Sequence, residues 1–210
     1  MKPFLRLTAV FPFAFAIFAT GNCRAEQAII SEIHYNPLQG QPEYVEIYNN
    51  SGAAVDFARW QFTKGIDYEF PDFSSGDALG TFMHSFERIV VASVDEATLR
   101  AAYTIPADTK VFGPWIGTLS NGGERLRLEN KNGVVVCDLT YNDGGRKWPL
   151  APDGTGHALR LINPNQSCAD WRNWTGSAGR NGTPGAAPAS DEGVAFPDPE
   201  IDLASNQPIV

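Results

Sequence analysis

The chain has 210 residues and a formal net charge of −8, with 24 acidic against 16 basic side chains. That length suits one domain with a core of its own. The negative field repels phosphate backbones and anionic headgroups, so nucleic acid and bare membrane surfaces are not expected partners.

Residues 1–25 read as an export leader. Lys2 and Arg6 precede or enter an apolar run over 7–19, and Cys23-Arg24-Ala25 then offers small residues at a cleavage point. Pro12 interrupts the run, which is shorter than the roughly 20 apolar residues needed to span a bilayer. The expectation is cleavage, no stable membrane insertion afterwards, and a secreted, periplasmic or cell-surface destination. The cysteines left after cleavage are Cys137 and Cys168. In an oxidising compartment they either close a disulfide or stay as two buried thiols.

From residue 28 to about 174, short β-branched and aromatic runs alternate with Gly, Pro and Asn, the pattern of an all-β sandwich of antiparallel strands. Strands are predicted over 28–35, 43–49, 60–63, 68–70, 88–92, 111–112, 124–129, 134–141 and 157–162. In 43–48, Val45 and Ile47 fall on one face, pointing inward, while Tyr44, Glu46 and Tyr48 share the other. In 124–129, Leu126 and Leu128 are buried opposite Arg125, Arg127 and Glu129. Asn132-Gly133 tolerates the positive φ of a tight reversal, which makes 124–141 a hairpin. One short helix is predicted over 95–103. Ser93 and Glu96 have capping-box spacing before it, and Pro106 lies beyond its end. From Gly176 onward the composition turns to Gly, Ala, Pro, Ser and acids, too little apolar pattern to offset ordering entropy. A disordered tail is therefore predicted at the C-terminus.

Catalytic machinery is not legible. No Gly-x-Ser-x-Gly elbow surrounds a serine, and His34, His84 and His157 have no metal-protease spacing. Asp143-Gly144-Gly145 and Asp153-Gly154-Thr155-Gly156 join carboxylates to pliable backbone. Asp143 and Asp153 are thus the calcium candidates, although the same residues make ordinary turns. Among the tryptophans, Trp60 and Trp148 read as core anchors. Trp115, Trp171 and Trp174 are the candidates for a sugar-stacking platform. Asn49, Asn165, Asn173 and Asn181 begin glycosylation sequons.

A set of landmarks in fixed order carries a family resemblance. They are Ile29-Ile30-Ser31-Glu32-Ile33-His34-Tyr35-Asn36-Pro37, Glu43-Tyr44-Val45-Glu46-Ile47-Tyr48-Asn49 and Val55-Asp56-Phe57-Ala58-Arg59-Trp60-Gln61-Phe62. Tyr68-Glu69-Phe70-Pro71, Ile89-Val90-Val91-Ala92, Leu119-Ser120-Asn121-Gly122-Gly123-Glu124-Arg125-Leu126 and Gly182-Thr183-Pro184-Gly185 follow. Together they resemble the lamin-tail domain as it occurs in secreted bacterial proteins. The resemblance implies an immunoglobulin-like β-sandwich, assigned to 26–188; composition makes 189–210 a disordered acidic tail. The resemblance also implies that Trp60 is the core tryptophan, and that Ile33, Val45, Ile47, Leu126 and Leu128 point inward. No catalytic residue is carried over by the resemblance.

The expected function is that of a non-enzymatic binding or adhesion module for a protein, or alternatively a glycan, with no obligatory cofactor. The alternative is a calcium-dependent hydrolase or nuclease-associated domain using Asp143, Asp153 and His157.

Overall fold

A computed structural model describes residues 28–72, 80, 82–144 and 147–188. The expected leader and the tail from 189 lie outside the described residues. The strands are β1 (Ile29–His34), β2 (Tyr44–Tyr48), β3 (Val55–Asp56), β4 (Gln61–Lys64), β5 (Tyr68–Glu69), β6 (Phe82–Met83) and β7 (Arg88–Ala92). Helix α1 (Glu96–Ala102) follows, then β8 (Lys110–Phe112), β9 (Arg125–Glu129), β10 (Val135–Thr140), β11 (His157–Leu161) and β12 (Trp174–Arg180).

Six strands form one sheet in the order β12-β11-β1-β2-β7-β8, and four form a second in the order β10-β9-β4-β5. β3 and β6 make a separate two-stranded ribbon. All pairings are antiparallel except β7 with β8. Between the two larger sheets lies one apolar core. Ile33, Val45, Ile47 and Ile89 enter it from the first sheet, and Phe62, Leu126, Leu128 and Leu139 from the second. Trp60, 6 % exposed, belongs to this core. Each fully buried aliphatic side chain contributes roughly 1.5–3 kcal/mol to the collapse.

The β9–β10 hairpin turns where the sequence places it. Gly133 has φ +72°, and the Asn130 side-chain oxygen accepts the amides of Asn132 and Val134 at 2.9 and 3.0 Å. Two local readings need correction, the capping box and the start of the tail, and two features were not anticipated, the ribbon β3–β6 and the burial of two sequon asparagines. The capping box does not form: Asp95 caps α1 by accepting from Thr98 N at 3.0 Å, while Ser93 Oγ accepts from Glu43 N at 3.1 Å. β3 and β6, two residues each, are too short to show a period. Residues 176–180, read as tail by composition, continue strand β12. Trp174, 4 % exposed, anchors that strand by donating from Nε1 to Cys168 O at 2.8 Å, and the ladder to β11 uses backbone rather than apolar side chains. Finally, Asn49 and Asn173 are buried. The amide of Asn49 donates to the carbonyls of Ala53, Met83 and His84, so it clamps the loop before β7 instead of facing solvent as a sequon asparagine would.

The outer face of the six-stranded sheet, away from the core, is also covered. Leu99 of α1 and Tyr103, the residue after it, pack on Tyr44, Val90, Ala92 and Val111. Beside them, residues 181–188 run back across β1 and β2 as a strap.

Candidate functional site: a two-carboxylate cleft under the strap

Strand alternation sends Ile33 and Val45 into the core and turns Glu32 and Glu46 to the outer face. The two glutamates are directly opposite each other in the β1–β2 register. Like charges so placed repel, and both are buried, at 1 % and 2 % exposure. Donors from several elements hold them. Glu32 accepts from the Tyr44 hydroxyl in a very short bond, from Thr183 N at 2.9 Å, and from Thr183 Oγ1 at 3.1 Å. Glu46 accepts from Ser31 Oγ at 2.6 Å and Gly185 N at 2.8 Å, and Arg88 Nε forms an ion pair with it at 3.2 Å. The Arg88 guanidinium also stacks 4.1 Å over the Tyr48 ring. Arg160, opposite Glu32 on β11, adds a second positive charge.

Burial dominates the protonation of this pair. It pushes Glu46 up to about 8, assisted by repulsion from Glu32 and opposed by Arg88, Ser31 and Gly185. Glu32 is raised as well, again by desolvation, against the Tyr44 and Thr183 hydrogen bonds and the Arg160 charge. Two carboxylates whose oxygens are already taken by Thr183, Gly185, Tyr44 and Ser31 act as a fastening. They are not presented to an outside substrate as an acid and base would be.

Glycine is required in the strap at two points. Gly182 (φ +65°) lies so close to Glu32 Oε1 and the Tyr44 hydroxyl that a Cβ would collide with them, and Gly185 (φ +78°) is equally tight against Thr109. A cavity of about 200 Å³ lies on one side of the strap, lined by Glu32, Glu46, Tyr48, Arg88, Arg160 and Thr183 among others. A more open groove of about 590 Å³ lies on the other, bounded by His84, Phe86, Arg88, Thr109, Lys110 and Gly185. Arg88 borders both.

The sites read from sequence fall elsewhere. Asp153 accepts from Asn36 Nδ2 at 2.9 Å. Burial raises the Tyr35 phenol, and the charges of Asp153 and Asp143 push it further. The Tyr35 hydroxyl is buried without a hydrogen-bond partner among the described residues. His157 is engaged by a different neighbour: its Nδ1 lies 2.6 Å from Ser177 O. Among the described residues, no group of three or more His, Cys, Asp or Glu side chains is gathered to hold a metal ion. Cys137 and Cys168 are joined as a disulfide, their Cα atoms 6.7 Å apart.

The proposed tryptophan platform is absent. Trp115 and Trp174 are 5 % and 4 % exposed, and Trp171 is only partly exposed with Arg172 over its ring. Among the described residues, no helix is long and apolar enough to cross a membrane.

Sequence reasoning missed the cleft. Its one signal was a pair of glutamates, each centred in a strand of otherwise core-like residues, together with a Gly-Thr-Pro-Gly stretch that was noticed only as a family landmark.

Two packed sheets, a short helix and a core tryptophan define an immunoglobulin-like β-sandwich. The Lamin Tail Domain family model matches residues 24–143, and the chain belongs to that family. No curated protein matches the chain. Glu32, Glu46 and Arg88 lie within the matched residues, whereas Arg160 and the strap lie beyond them.

Proposed function

We propose that the chain is an exported, non-enzymatic module that binds a protein partner by accepting an extended segment along strand β10. The observation that carries this reading is the edge position of β10 in its sheet: among the described residues it pairs with β9 alone, and Val134 just before it and Val135 at its start are 58 % and 42 % exposed. An unpaired edge presents a row of backbone donors and acceptors, and added strands are a recurrent mode of peptide recognition. Membership of an immunoglobulin-like family is compatible with this role.

The test is a pull-down from envelope extract with the wild-type chain and with a Val134→Lys/Val135→Lys variant. Recovery of a partner by the wild type and its loss in the folded variant supports the reading. No partner, together with a measurable hydrolytic turnover, overturns it. A second reading, calcium held by Asp143 and Asp153, is favoured by the orphaned Tyr35 hydroxyl beside them. Calorimetric titration with calcium that releases no heat removes it.

A further inference from the structure

The strap is held chiefly by polar contacts. Within 181–188 only Pro184 is buried; the Thr183 and Gly185 amides and the Thr183 hydroxyl donate to the carboxylates, Tyr44 and Thr109 donate to the carbonyls of Asn181 and Gly185, and Asn181 N donates to Gly156 O. The strap leaves β12 through two consecutive left-handed residues, Asn181 (φ +73°) and Gly182 (φ +65°). Asn181 is not a glycine, and its side-chain oxygen is buried without a partner. A segment that buries little apolar surface and is held by directed polar contacts opens at a fraction of the free energy of global unfolding.

The cleft, by contrast, is closely fitted to its occupant. Its carboxylates accept the amides of residues 183 and 185, which lie in a turn closed by Ala186 N donating to Thr183 O at 2.9 Å. Glu32 further requires a hydroxyl at 183, and the walls admit only glycine at 182 and 185. The tetrapeptide Gly-Thr-Pro-Gly occurs once in the sequence.

We propose that the Glu32–Glu46 cleft is a recognition site for a Gly-Thr-Pro-Gly segment, filled by the chain's own strap and, once that strap opens, by the strap of a second copy. The occupant is a second copy because the contacts shown are those of this segment, and exchange reproduces them. This interface is separate from the β10 edge and does not depend on it.

Titratable and charged groups around the pair are Tyr44 on β2, Arg88 on β7 and Arg160 on β11, with His34 of β1 and Tyr103, the residue after α1, against Tyr44; residues 181–188 carry no charge. Burial raises both carboxylates, and raising the pH through the elevated range weakens docking of either copy's strap alike.

The experiment mixes two full-length variants. Gly185→Val keeps the cleft but its strap cannot dock, and Glu46→Leu keeps the strap but lacks one acceptor. Light scattering is expected to show each alone as a monomer and the mixture as a heterodimer. An excess of synthetic peptide spanning 180–188 should dissolve that heterodimer. A mixture that stays monomeric, with both variants folded by circular dichroism, overturns the proposal. Should either variant fail to fold, labelled 180–188 peptide titrated into the wild type decides. Saturable binding of an excess of that peptide supports the site, and no binding at that excess overturns it. Peptide binding by folded variants that form no heterodimer overturns the assignment to a second copy.

Discussion

The two faces of the six-stranded sheet are made by the same strands, and both are buried, yet they are held by different forces. On the inner face, Ile33, Val45, Ile47 and Ile89 meet the second sheet with no polar group to satisfy. On the outer face, Glu32 and Glu46 lie under a strap and accept directed bonds from Tyr44, Ser31, Thr183 and Gly185, with Arg88 ion-paired to Glu46. An apolar face tolerates any partner of the right volume, whereas a polar face is stable only with the donors it was built around. The inner face therefore carries stability, and the outer face specifies one covering segment.

The largest effect should come from breaking the inner face. Ile47, fully buried between Ile30 and Ile89 on the neighbouring strands, leaves a cavity when truncated. Ile47→Ala should cost about 4 kcal/mol in denaturant unfolding, with an unchanged slope. Removing the Cys137–Cys168 bond, which spans 31 residues, should cost about 3 kcal/mol by freeing the unfolded chain. The Cys137→Ser/Cys168→Ser chain, compared with the wild type under oxidising and reducing conditions, checks this. Under reduction the difference should largely vanish.

The outer face responds to pH instead. Glu46 is raised from 4.5 to about 8, so between those values the folded chain binds the proton more tightly than the unfolded chain does. Its contribution is complete below about 4.5 and is lost as pH rises to about 8. Glu32 adds a change of the same sign. His34 acts oppositely: burial lowers it from 6.5 to about 4, so its contribution grows as pH rises across that interval. The two oppose each other below 6.5, and above it only the carboxylate pair acts. Melting temperature should therefore fall as pH rises from about 6.5 to about 8. Glu46→Gln should flatten that limb while leaving the His34 limb below it. A limb unchanged in the Gln variant would place the proton elsewhere.

These contrasts also explain what could be read from the sequence. The alternation of Val45 and Ile47 against Tyr44, Glu46 and Tyr48 gave the correct faces, because the pleat has a period of two residues. It did not reveal that the second face is covered too. The covering segment lies more than 130 residues from the glutamates it binds, and pattern within a strand carries no information about a contact so distant. Composition misread residues 176–180 for a related reason: backbone pairing and the Trp174 anchor order them without an apolar stripe. Asp143 and Asp153 attracted notice through their local turn chemistry, yet the carboxylates with the most perturbed surroundings, Glu32 and Glu46, stood in strands where nothing local marked them.

The smallest effects concern left-handed positions, and they contrast the covered cleft with its open rim. Gly182 sits in the cleft with φ +65° and no room for a Cβ, whereas Phe86 sits on the rim with φ +63° and its side chain 61 % exposed. The backbone is similar at both, but only the first position is occupied by the residue that conformation favours. A non-glycine residue there costs about 1 kcal/mol, and an exposed ring recovers little of it by burial. Phe86→Gly should consequently raise the unfolding free energy by roughly 0.5–1 kcal/mol, the strain relieved being partly offset by glycine's larger unfolded-state entropy. Gly182→Ala should lower it, because strain and collision with Glu32 act together. If Phe86→Gly is instead destabilising, the ring makes a contact that its exposure conceals, and the rim of the groove would have to be counted with the covered face.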